Sequence, residues 1–91
     1  MMKMLFPLRA VVMTPGARDL MQELGLDAVY LLGRHVTGDW GDMDDYDKRA
    51  NDEALKTGDR IFSSYQVGRD RLWIITEADR SVTTILRPDE Y

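Results

Sequence analysis

The stretch RIFSSYQVGRDRLWIITEADRSVTTILR, Arg60 to Arg87, decides the fold. From Arg60 to Val67 the chain alternates, and Ile61, Ser63, Tyr65 and Val67 fall on one face of an extended strand. Gly68-Arg69-Asp70-Arg71 reads as a hairpin turn. Leu72 to Thr76 (LWIIT) is rich in β-forming residues and reads as a second strand. Glu77-Ala78-Asp79-Arg80 turns again, Ser81 to Arg87 forms a third strand, and Pro88 stops it. Three strands joined by two short turns predict an antiparallel meander.

The residues before the meander read as helices. Asp42 is placed to cap a helix over Met43 to Lys56, with Met43, Tyr46, Ala50, Ala54 and Leu55 as its apolar stripe and Gly58 as its stop. Upstream, Asp27 caps Ala28 to Val36, a segment apolar on most sides and so expected to be largely buried. Thr14-Pro15 starts a helix running to Leu24, with Ala17, Leu20, Met21 and Leu24 on one face and Gly25 as the terminator. Leu8 to Met13 (LRAVVM) predicts an N-terminal strand. The expected order is β-α-α-α-β-β-β over a single domain spanning residues 1–91, an α+β fold with the meander packed against helices. No internal repeat or linker interrupts it.

Composition narrows the function classes. The chain has 91 residues, no cysteine and one histidine. Disulfides, thiolate nucleophiles and cysteine-based metal sites are therefore excluded. No run of 18 apolar residues exists to span a membrane. Pro7 and Arg9 interrupt the apolar start, which makes a poor secretion signal and points to a cytoplasmic protein. The net charge is −4, and it is concentrated. Asp39 to Glu53 holds seven acids and two bases, whereas the other 76 residues hold nine acids and ten bases. No basic stripe is present, which argues against direct nucleic-acid binding. An acidic patch suits a basic protein face instead.

The acidic segment has two readings. Asp42, Asp44 and Asp45 sit where a helix N-terminus favours carboxylates. Alternatively Asp39, Trp40, Asp42, Asp44, Asp45, Tyr46 and Asp47 form a partner-binding surface, with Trp40 between two glycines as an aromatic anchor. A Trp in this position also fits a plug between helices and sheet, with one edge exposed. A calcium loop is excluded, because Tyr46 stands where the third ligand belongs and no glycine occupies the sixth place. No metal or cofactor is expected.

An enzyme remains the second hypothesis, a small hydrolase or transferase drawing on His35, Asp39, Asn51, Glu77, Asp79 and Arg80. It would use His35 as a base oriented by Asp39, or Glu77 and Asp79 beside Arg80 as an acid–base pair or phosphate site. It requires the Gly38–Gly41 loop and the Glu77–Arg80 turn to meet at one cleft. The plainer alternatives are a histidine at a helix C-terminus and ordinary turn chemistry. A helix-turn-helix over the first two helices is unsupported, because the second begins AVYLL, without a base-reading side chain. A symmetric dimer through an exposed sheet edge is a third possibility.

Three phrases carry a resemblance: GRHVTGDWGD (Gly33–Asp42), DKRANDEAL (Asp47–Leu55) and LWIITEADRSVTTILRPDEY (Leu72–Tyr91). Together they resemble a family of short bacterial proteins found on plasmids, integrated phages and similar mobile elements, often given a restriction–modification subunit name. The resemblance implies an accessory protein of mobile elements, of the size and acidity common among inhibitors of restriction or CRISPR machinery. It carries no catalytic residues with it.

Overall fold

The computed structural model describes residues 3–91. The elements follow the order β1 (Ala10–Met13), α1 (Pro15–Leu24), α2 (Ala28–Val36), α3 (Asp45–Thr57), β2 (Ile61–Val67), β3 (Asp70–Thr76) and β4 (Val82–Leu86), closed by a 3-10 turn at Pro88–Glu90. The strands form one sheet in the order β1-β4-β3-β2. The meander β2-β3-β4 is antiparallel, and β1 joins β4 in parallel, so the sheet is mixed. A parallel partner for β4 needs a long crossover, and α1, α2, α3, β2 and β3 together supply it. None of the helices described is long and apolar enough to cross a membrane.

Local signals set most boundaries. Thr14 accepts a hydrogen bond from the Ala17 amide, Pro15 occupies the first turn, and Gly25 ends α1 in left-handed geometry. Asp27 caps α2 by accepting from the Val29 amide at 2.9 Å. The third helix starts later than the spacing suggests. Asp44, not Asp42, is its cap, accepting from the Asp47 amide at 2.8 Å. Asp42 is drawn away because its carboxylate accepts from the Gln66 amide of β2 at 2.7 Å.

Helices α1 and α2 cover one face of the sheet. Ala17, Leu20, Met21 and Leu31 pack with Tyr65, Val67, Leu72, Ile74 and Ile85. Phe6, Val36, Trp40, Ala54 and Ile61 form a second cluster. The strand alternation places Ile61, Ser63, Tyr65 and Val67 inward, all buried. The expectation that α2 is buried on most sides is corrected: only Leu31, His35 and Val36 are buried, and Val29 is 72% exposed. With nine residues on the surface of a small sheet, only one helical stripe reaches the core.

The apolar stripe expected for α3 is also corrected. Tyr46 and Ala50 face outward, and the buried positions are Asn51 and Ala54. Polar Asn51 takes the inward place because it faces a strand edge. Its amide donates to the Phe62 carbonyl at 2.6 Å and accepts from the Phe62 amide at 3.0 Å. The side chain thus acts as a further rung on β2. Asn51→Ala removes both bonds and leaves two backbone groups without partners, an expected loss of about 2–4 kcal/mol by urea titration.

Candidate functional site

The loop between α2 and α3 is tied down from both ends. Arg34, in the last turn of α2, pairs with Asp39 at 2.7 Å and lies 4.6 Å over the Tyr65 ring. The Arg34 guanidinium holds the Asp39 carboxyl below its ordinary range. Tyr65 donates its hydroxyl to the Asp39 carbonyl at 2.7 Å, and burial pushes the phenol up to about 12. Next in the chain, the Trp40 carbonyl accepts from the Ser64 amide at 3.1 Å and the Asp42 amide donates to the Ser64 carbonyl at 2.6 Å. Gly41 makes this parallel bridge with φ 84°.

The candidate binding residues therefore separate. Trp40 is only 4% exposed, packs on Phe6 and donates its indole N–H to Asp52 at 3.2 Å. It is a core residue, which corrects its place as a surface anchor. A flat, largely apolar ring gains more from the Phe6 and Ile61 cluster than from water. Asp39 is paired with Arg34, and Asp42 is bonded to β2. Asp44 caps α3. Asp45, Tyr46 and Asp47 project into solvent from the first turn of the same helix, and Tyr46 is 75% exposed. Among the described residues, Asp44, Asp45 and Asp47 have no ion-pair partner.

The candidate catalytic residues are dispersed by their bonds. His35 is fully buried, with Nδ1 2.5 Å from the Ser63 hydroxyl and Nε2 2.9 Å from the Thr76 hydroxyl. Thr76 continues to Thr83 at 2.8 Å, and Thr83 reaches the Leu8 carbonyl at 3.4 Å. Phe6 and Trp40 meet the imidazole edge-on, with ring centres 5.2 and 6.1 Å away. Burial lowers the His35 pKa to about 3. Asp39 does not orient this ring, since both its carboxylate oxygens are bonded to Arg34.

The turn at Glu77–Arg80 is similarly committed. Arg80 donates to the carbonyls of Asp59, Glu77 and Ala54, stitching the turn to the end of α3. Glu77 lies 3.4 Å from Arg60. Asp79 accepts from the hydroxyl and amide of Ser81, and these bonds lower its pKa. Asn51 is used by β2. No bond among the described residues joins the turn to His35 or Asp39, and no group of three or more His, Asp or Glu side chains is gathered for a metal ion.

Sequence reasoning missed two features. One is the hydroxyl–imidazole chain, whose signal is serine and threonine recurring on the inward face of adjacent strands at Ser63, Thr76 and Thr83. The other is an aromatic cleft of about 310 Å³ on the opposite sheet face, lined by Arg60, Phe62, Trp73, Ile75 and Tyr91. Compared with protein-family models, curated proteins and solved structures, the chain finds no match.

Proposed function

We propose that this chain is a non-enzymatic binding protein whose contact surface is the first turn of α3. Tyr46 is the anchor, Asp44, Asp45 and Asp47 surround it with negative charge, and a basic protein face is the complementary partner. The observation that carries the reading is the 75% exposure of a tyrosine among three carboxylates that have no ion-pair partner among the described residues. An exposed aromatic on a rigid helix offers contact area at low entropic cost, and the carboxylates steer a cationic partner toward it. The resemblance to mobile-element proteins supports a host-defence or DNA-processing complex as the target.

Tyr46→Ala combined with Asp45→Lys and Asp47→Lys tests the reading. These side chains are solvent-facing, so the fold should persist by circular dichroism. Capture of the partner on the immobilised chain should fall at least about tenfold, and the wild-type complex should weaken as salt rises. Undiminished capture by the triple variant would remove α3 as the contact surface.

A further inference from the structure

The two edges of the sheet are finished differently. On β2, every outward backbone group of Phe62 and Ser64 is satisfied, by the Asn51 amide, the Trp40 carbonyl and the Asp42 amide. The Gln66 amide is taken by the Asp42 carboxylate. Among the described residues, nothing comparable covers β1. Thr14 donates its amide to the Ile85 carbonyl at 3.0 Å, which sets the alternation of the parallel ladder. Thr14, Val12 and Ala10 turn toward β4, and the N–H and C=O groups of Val11 and Met13 turn toward the open edge. The side chains are open as well. Val11, Val12 and Met13 are 40%, 48% and 43% exposed, although they alternate between the two faces of the sheet. A monomer normally shields an apolar edge of this kind with charge, proline or a covering loop.

We infer that β1 is a dimer interface whose occupant is β1 of a second copy, antiparallel across a two-fold axis at Val12. The register is self-complementary. Val11 and Met13 lie symmetrically about Val12, so Val11 of one copy faces Met13 of the other and the two exchange both N–H···O bonds. The symmetry repeats this pair, for four bonds in all, with Val12 opposite its own copy on the axis. Charge selects the same orientation. Arg9 precedes β1, while Glu90 is bound to Thr14 and Gly16 just beyond its other end. Antiparallel pairing brings Arg9 of one strand toward the Glu90 end of the other, whereas parallel pairing would set Arg9 beside Arg9 and Glu90 beside Glu90. The result is one eight-stranded sheet with an α3 helix at each far edge. Four residues per copy make a small contact beside the roughly 1,200–2,000 Å² of a standard interface, so the dimer belongs to the micromolar class. The inference does not rest on the proposed acidic contact, which lies at the opposite edge.

Sedimentation equilibrium on the full chain, from micromolar concentration to about 1 mM, tests it. The expected result is a shift from the 10.5 kDa monomer to twice that mass. Val12→Lys sets two like charges together on the axis and should raise the dissociation constant at least about tenfold. Amide exchange supplies a second readout that needs no variant. The Val11 and Met13 amides should become protected as concentration rises, whereas the Val12 amide, bonded to β4, should be protected throughout. A chain that stays monomeric to about 1 mM overturns the inference. So does a dimer in which the Val11 and Met13 amides exchange freely, which places contact elsewhere.

Discussion

Replacing Gly41 by alanine should destabilise the fold by about 3–5 kcal/mol, a large share of what a small domain possesses. Two penalties act together. The backbone sits at φ 84°, a left-handed region costly to any residue with a Cβ. An added Cβ would also lie 2.1 Å from the Ser64 carbonyl oxygen and 2.6 Å from the Tyr65 ring. The neighbours have no room to give, since Ser64 is paired to both sides of Gly41 and Tyr65 is bonded to Asp39. Gly58→Ala is the matched control. Its φ is 82° but nothing lies within 4 Å of the added carbon, so about 1–2 kcal/mol of backbone strain is the whole effect. Urea titrations of the two variants should differ by at least about 2 kcal/mol. Equal losses would mean that the loop does not press on β2 as described.

His35→Ala should cost about 3–5 kcal/mol, because it opens a cavity in the core, takes the imidazole partner from the Ser63 hydroxyl and leaves Thr76 bonded to Thr83 alone. The same residue makes the fold sensitive to acid. Buried between Phe6 and Trp40, the neutral ring meets hydroxyls and no carboxylate, so a proton on it has no counter-charge. Its pKa falls from 6.5 in the unfolded chain to about 3 in the folded one. Below pH 6.5 the unfolded chain therefore binds a proton that the folded chain refuses. Stability is unaffected above that pH and declines by up to about 1.4 kcal/mol per pH unit as pH falls toward 3. Asp39, Asp79 and Glu90 have lowered pKa values and add their own losses only in the carboxylate range below. Between pH 6.5 and 5 the decline thus belongs to His35. His35→Gln, which keeps a polar side chain without titrating, should flatten stability over that interval. A wild-type chain equally stable at pH 7 and pH 5 would show that the ring is not held neutral.

Much of the fold was legible because its signals are local. Strand alternation over Ile61–Val67, the Thr14-Pro15 start and the Gly25 stop each involve neighbours along the chain, and each matches the structure. The errors share one cause. Hydrophobicity alone places Tyr46 and Ala50 inward, yet the inward position goes to Asn51, which satisfies two backbone groups of a strand eleven residues away. Spacing alone puts Asp42 at a helix cap, yet the Gln66 amide, 24 residues on, claims its carboxylate. Trp40 carried two opposed readings, and only its neighbours Phe6 and Asp52 decide between them.

The order of residues is enough to specify the class of fold, the three helices and the meander, since propensity, capping and alternation act within a few residues. It also determined that negative charge gathers around residues 39–53. Which of those carboxylates stay free, the parallel run of β1 beside β4 and the buried chain of hydroxyls closed by His35 emerge only in three dimensions. Each of these depends on pairing between segments remote in the chain, where the energy of an unmet polar group outweighs the hydrophobicity of any single side chain.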